Sequence, residues 1–264
     1  MSAPSPLESL RCRLRDALPP ALGLCLTLRA NPLLGIAFRL WRRRFHLDGM
    51  SFEVPLEGEA PSSLATYWFN DYEAPEREFC AQFIRPADRV CELGSCLGIV
   101  SMTINRRLAS PEQHLVVEAN PLLIPFLEKN RELNQGHFRV LHAAVGDGSP
   151  LALDVSQGVL NGTRAAGGAP ARTEIVPGCT VDSLFVTYGS FDVLVMDVEG
   201  AEQQVLRGEA WRSVRLIIVE WHPTLIGQQA FEQAQDALCS AGFRCIVSRQ
   251  GSPHIVEAWE QSAP

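Results

Sequence analysis

From Arg89 to Ala241 short apolar runs alternate with amphipathic segments, and this rhythm restricts the fold more than any other feature of the chain. Arg89–Leu93, His114–Glu118, Phe138–Ala143, Phe191–Asp197 and Val214–Glu220 read as buried strands. Ile99–Leu108, Leu122–Asn134, Ala201–Leu206 and Gly227–Ala241 carry helical spacing between or after them. Alternation of this kind builds a parallel sheet. Phe243–Val247 and His254–Ala258, around Arg249-Gln250-Gly251-Ser252, then read as a closing hairpin. One stretch breaks the rhythm. Leu151–Pro177 holds Gly158, Gly162, Gly167 and Gly168 between two runs able to pair as strands, and reads as a loop over a ligand site or as a plain surface excursion.

In an open parallel sheet a ligand lies at the carboxyl ends of the strands, and here those ends are polar. The first strand runs into Gly94-Ser95-Cys96-Leu97-Gly98, where two residues without Cβ let the backbone approach a ligand, although packing alone can ask for the same turn. The second ends in Glu118-Ala119-Asn120, an acid 24 residues after Gly94 and placed to accept hydrogen bonds from ribose hydroxyls. After the third, Ala144-Val145-Gly146 would leave a slot for a flat ring. Asp197-Val198-Glu199-Gly200-Ala201-Glu202 follows the fourth; acids there often only cap a helix, but Asp197 terminates the apolar run Val193–Met196 and so points to the crevice. Glu220-Trp221-His222 adds a carboxylate and an imidazole after the fifth.

A chain of 264 residues, 46% hydrophobic, suits one large domain with an extension. We divide it into 1–72, a helical extension and connector, and 73–264, the main domain. Leucines 7, 10, 14 and 18 share a helical face, and Pro32–Phe45 reads as a second helix grouping Leu33, Ile36, Ala37, Leu40 and Trp41, followed by an irregular connector over Gly49–Tyr72. Pro75 opens a further helix to about Ile84. Up to Met50 eight arginines face Glu8, Asp16 and Asp48, a net +5, which leaves −12 on the rest of a chain whose total is −7. The basic arm suits a peripheral membrane surface or an acidic partner, or simply caps the main domain. The overall charge argues against nucleic acid. Ala17–Leu28, the longest apolar piece, is short of the roughly 20 residues a bilayer needs. Eight scattered cysteines without a C-x-x-C pair argue against zinc and, with no signal peptide in view, for a reducing cytoplasm. The oligomeric state is not legible.

Glu92-Leu93-Gly94-Ser95-Cys96-Leu97-Gly98, Val117–Pro121, Thr180–Leu184, Asp197–Glu202 with Val205–Gly208, and Val219–His222 occur in an order that resembles the FkbM family of class I S-adenosylmethionine-dependent methyltransferases. The resemblance covers about Glu73–Glu260 and departs in the first block, where Glu92 and Ser95-Cys96 stand for the family's usual aspartate and Ala-Asn. It implies a Rossmann-like α/β fold, a seven-stranded mostly parallel sheet with a C-terminal antiparallel hairpin, and methyl transfer from S-adenosylmethionine to a hydroxyl of a sugar, polyketide or lipid. Gly94, Ser95, Cys96 and Gly98 would then bracket the amino-acid end of the cofactor, Glu118 the ribose, and Ala144, Val145 and Gly146 the adenine, with Glu92, Ala119, Asn120 and Asp197 as further cofactor contacts. Asp197 and His222 are the candidates for the base that takes the acceptor's proton. Tyr67, Tyr72, Asn161, Thr163, Glu199 and Glu220 are the candidate acceptor contacts. A divalent metal on Asp197, Glu199 or Glu220 is compatible but not favoured, because hard cations want six or so oxygens. Two other readings stay open: a silent cofactor-binding scaffold, and a nicotinamide oxidoreductase, which would need the middle glycine of G-x-G-x-x-G where Cys96 stands.

Overall fold

The computed structural model describes residues 31–41, 44–56, 59–68, 72–155, 163–164, 172–250 and 254–262. The chain divides into two compact units, Met1–Tyr72 and Glu73–Pro264. In the first, helix α1 (Pro32–Trp41) precedes a hairpin of β1 (Arg44–Leu47) and β2 (Met50–Glu53), then a short helix α2 (Pro61–Leu64) and a 3-10 turn, Ala65–Trp68. The helix expected to reach Phe45 therefore stops at Trp41, and the expected connector is structured. Asp48-Gly49 explains the difference: both residues adopt positive φ, the requirement of a tight hairpin turn, and Phe45 then pairs with Phe52. Within α1, Phe38 is buried while Leu33, Ile36 and Leu40 are exposed. Gly35 sets how closely α1 meets α2, since a Cβ there would fall 1.5 Å from the Pro61 carbonyl oxygen. The leucine-spaced segment 7–18 lies outside the described residues.

The second unit runs α3 (Ala74–Phe83), β3 (Val90–Leu93), α4 (Ile99–Asn105), β4 (His114–Glu118), α5 (Ile124–Leu133), β5 (Arg139–His142), β6 (Ala144–Val145), β7 (Leu151–Asp154), β8 (Thr163–Arg164), β9 (Thr173–Val176) and β10 (Gly178–Cys179). It continues with α6 (Val181–Tyr188), β11 (Val193–Met196), α7 (Glu202–Val205), β12 (Leu216–Trp221), α8 (Pro223–Ile226), α9 (Gln228–Ser240), β13 (Phe243–Gln250) and β14 (Ile255–Gln261). Seven strands form one sheet in the order β13-β14-β12-β11-β3-β4-β5. The five from β12 to β5 are parallel, and β14 alone runs against its neighbours. This is the parallel sheet that the alternating pattern predicts, in the Rossmann-like seven-stranded form with an antiparallel hairpin that the family resemblance implies. Leu151–Pro177 folds its two ends together as the antiparallel pair β7 and β9.

Alternation of side chains along the strands divides the core in two. Val90, Val193, Val195, Leu216 and Ile218 pack under α3 and α4 against Phe79, Val100 and Ile104. Cys91, Leu93, Leu194, Met196, Ile217 and Val219 face α6, α7 and α9 through Val181, Leu184, Val205, Phe231 and Leu238. Among the described residues no helix is long and apolar enough to cross a membrane.

Candidate active site

The same alternation places the acids. Val195 pairs with Glu92 and Met196 with Val219, so Asp197 and Glu220 stand level, one residue past the pairing, at the carboxyl ends of adjacent strands. Counting by twos from Val90, Val195 and Ile218 puts Glu92, Asp197 and Glu220 on the face that α3 covers. Helix α3 supplies Glu73 and Glu76 from its own N-terminal end. The five carboxylates, with Gly94 and Ser95, line a narrow crevice that opens to solvent. This is the point where the chain turns from β3 outward to β4 on one side and to β11 on the other, the position where open α/β sheets bind ligands.

The turn after β3 is held by contacts that the glycines permit. Gly94 has φ +79°, and a Cβ on it would lie 1.7 Å from the Asp197 carbonyl oxygen, so only glycine lets the ends of β3 and β11 touch. Glu118, buried at the end of β4, accepts from the amides of Ser95 at 3.0 Å and Cys96 at 2.9 Å through Oε2, and from Asn120 at 2.7 Å through Oε1. Burial pushes its carboxyl above the usual range, with those three amides pulling the other way. The predicted ribose acid is therefore also the group that shapes the turn. Glu92 is similarly engaged: Oε1 accepts from Ser101 Oγ at 2.9 Å, and Oε2 lies 2.9 Å from His114 Nε2, both side chains buried. Gly98 opens α4 in the left-handed region with its amide on the Ser95 carbonyl. Ala119 leads on from Glu118, and its carbonyl meets the His142 ring. Ala144, Val145 and Gly146 sit in and beside β6, with the Ala144 and Gly146 amides given to Pro177 and Cys179 oxygens.

On the far side of Asp197 stands His222, 1% exposed. Its Nδ1 lies 2.6 Å from Glu202 Oε1, and Glu202, itself fully buried, also accepts from the Gly200 amide. A carboxylate only accepts, so Nδ1 carries the proton and Nε2 faces outward. Around Nε2 lie Glu199 at 3.3 Å, Asp197 at 3.7 Å and Glu220 at 4.0 Å. Burial pushes Asp197 up to about 8, helped by Glu199 and opposed by His222. Burial, Asp197 and a hydrogen bond with Glu76 push Glu220 up to about 10. Burial works to lower the His222 pKa, but Glu202, Glu199 and Asp197 outweigh it and the net direction is up. The arrangement crowds carboxyl groups around one imidazole so that each disfavours ionisation of the next, and Asp197 Oδ1, Glu73 Oε2 and Glu76 Oε2 are buried without a hydrogen-bond partner. Such a wall suits a cationic ligand.

A family model, the methyltransferase FkbM domain, matches residues 95–245. The chain belongs to the FkbM methyltransferase family. No curated protein matches the sequence. Among solved structures, this FkbM chain is similar to Trm5b from Pyrococcus abyssi, with 12% identity, a TM-score of 0.48, and coverage of 81% of this chain and 54% of that one. It is also similar to the M. jannaschii tRNA m1G37 methyltransferase (11%, TM-score 0.49, 84% and 57%) and to M. jannaschii TYW2 in complex with AdoMet (12%, TM-score 0.45, 83% and 86%). The chain thus spans about half the length of the first two. At such identities a likeness concerns the fold alone, and the fold of the FkbM chain rests on its own strand order.

Of the residues singled out in the sequence, Glu92, Gly94, Ser95, Asp197 and Glu220 line the crevice, and Glu199 and His222 adjoin it. Tyr67 does not offer a free ring: it is 3% exposed and packs on Phe38, Phe45 and Tyr72 in the core of the first unit. Asn161 lies outside the described residues, and Thr163 is described only as part of β8. The sequence reading missed Glu73, Glu76, Glu202 and His254. Glu202 carried a signal, as the last acid of the Asp197–Glu202 block; the others gain meaning only from packing.

Proposed function

We propose that this FkbM chain is an S-adenosylmethionine-dependent O-methyltransferase acting on a hydroxyl of a sugar or another small molecule. The observation that supports the reading best is the row Glu92, Asp197 and Glu220 beside the Gly94–Gly98 turn, joined by Glu73 and Glu76. When bound, S-adenosylmethionine supplies an activated methyl group on a positively charged sulfur, next to an ammonium. The buried, unpartnered oxygens of Asp197, Glu73 and Glu76 fit that charge. Glu118 Oε1, which accepts only from the Asn120 amide, keeps a lone pair for a ribose hydroxyl, while Oε2 is taken up by the Ser95 and Cys96 amides. Ala144 to Gly146 would border the base.

With the methyl already activated, the protein has to hold the acceptor oxygen in line and receive its proton. Asp197 and His222 are the groups for that task, His222 being oriented through Nδ1 by Glu202. Glu199, 62% exposed, and Glu220 would meet the acceptor's other polar groups. Calorimetric titration with S-adenosylhomocysteine tests the reading. We expect saturable binding by the wild-type chain. Labelled methyl donor with a panel of glycosides, polyketides and lipids should then give an alkali-stable ether product, with Asp197→Asn and His222→Ala slowing turnover at least about tenfold at unchanged cofactor affinity. Absence of binding in folded protein would overturn the reading; binding without transfer to any hydroxyl would favour the silent scaffold.

A further inference from the structure

The sequence offered a metal only oxygen ligands, and too few of them. The fold adds nitrogen. His254, just before β14, turns its Nδ1 to within 3.3 Å of Glu220 Oε1, and His222 Nε2 lies 4.0 Å from the same oxygen. The two imidazole rings stand 4.7 Å apart, edge to face, and the three ligand atoms are all within 4.8 Å of one another. Tetrahedral zinc with bonds of about 2.0–2.1 Å spaces its ligand atoms about 3.3 Å apart, so modest side-chain rotations separate this set from closure.

Three further observations point to a cation there. His222 is 1% exposed, and its Nε2 faces only carboxylate oxygens, the nearest that of Glu199 at 3.3 Å. His254 Nδ1 and Asp197 Oδ1 are likewise buried without a hydrogen-bond partner. Glu202, fully buried, takes the Nδ1 proton of His222, the outer contact that orients a metal-binding imidazole and makes Nε2 the ligand atom. Asp197 and Glu199 flank Nε2 at 3.7 and 3.3 Å, and supply a carboxylate for a fourth position.

We propose that Glu220, His222 and His254 hold a divalent first-row transition metal, completed by Asp197 or Glu199. Two imidazoles with carboxylate favour zinc, iron, cobalt or nickel over magnesium or calcium, which prefer oxygen. The proposal rests on these side chains and not on methyl transfer; a metal on His222 Nε2 takes that nitrogen's lone pair, so Asp197 would then be the base of the proposed transfer and Glu199 the fourth ligand.

The full chain, stripped with chelator and dialysed, is titrated with Co²⁺ and then Zn²⁺. We expect visible d–d absorption that saturates at one equivalent and is abolished by zinc, with one zinc retained in equilibrium dialysis. His254→Ala and Glu220→Gln should each weaken zinc binding at least tenfold, while His142→Ala, on an exposed histidine elsewhere, should not. His254 is 41% exposed at its side chain, so its replacement should leave the fold intact, checked by circular dichroism. Failure of the wild-type chain to take up metal, or affinities that ignore both substitutions, would overturn the proposal. S-adenosylhomocysteine binding in the same samples separates the two readings. Cofactor binding without metal uptake removes only this one, and metal uptake without cofactor binding removes only methyl transfer.

Discussion

Three non-glycine residues beside the crevice hold left-handed backbone: Glu73 at φ 48°, Cys96 at 48° and Glu199 at 46°. Such residues cost of order 1–3 kcal/mol each and gather where a site over-determines its geometry. Cys96 is the most instructive, because its amide serves Glu118 and the family usually places asparagine there, a residue that tolerates this conformation. Cys96→Asn should therefore leave stability unchanged within about 0.5 kcal/mol, whereas β-branched Cys96→Val should lose a further ~1–2 kcal/mol, as read by urea unfolding. Equal effects would mean that the turn relaxes. Glu202 makes a second test. Glu202→Gln retains an acceptor for His222 Nδ1 but removes the charge, and should lower turnover about tenfold or more with the cofactor's KM unchanged. A rise in KM alone would make Glu202 a packing residue.

Among the elements, α6 shows why part of the fold escaped the sequence. It is eight residues long and begins at a reciprocal cap, the Ser183 amide donating to Thr180 Oγ1 and the Thr180 amide to Ser183 Oγ. Serine in place of the usual glutamate or glutamine hid that signal. Thr180→Ala should lower stability by about 1 kcal/mol, measured by thermal denaturation, with crevice binding unaffected. The hairpin β1–β2 escaped because the helical reading took in Arg44 and Phe45 and the connector reading began at Gly49, which cut the Asp48-Gly49 turn signal off from both of its strands. The strands were legible, since each is a short apolar run between turn residues. Their parity was legible too: two residues on from Val90, Val195 and Ile218 lie Glu92, Asp197 and Glu220. What no local pattern carries is that α3 would bring Glu73 and Glu76 over the same face, or that β14 would bring His254 to Glu220. Those depend on packing between segments distant in the chain, 121 residues from Glu76 to Asp197 and 34 from Glu220 to His254.

For the molecule as a whole, the buried acids set a pH dependence. Asp197 is pushed up to about 8 and Glu220 to about 10, and Glu73 and Glu118 are also raised, all chiefly by burial. Unfolded, these groups titrate near ~4. Between those limits the folded chain binds more protons than the unfolded one, so stability falls as pH rises. His222, also raised, acts in the same direction. The melting temperature of the ligand-free, metal-stripped chain should decline from about pH 5 to about pH 9; a rise over that interval would show that the fold holds these acids ionised. The sheet order has another consequence, in time. Strand β14 enters between β12 and β13, and Glu257 on it receives the indole N–H groups of Trp221 and Trp259. During synthesis the edge of β12 beside Glu220 and His222 stays unpaired until β14 leaves the ribosome, so a nascent chain carries every acid of the crevice before His254 can reach Glu220.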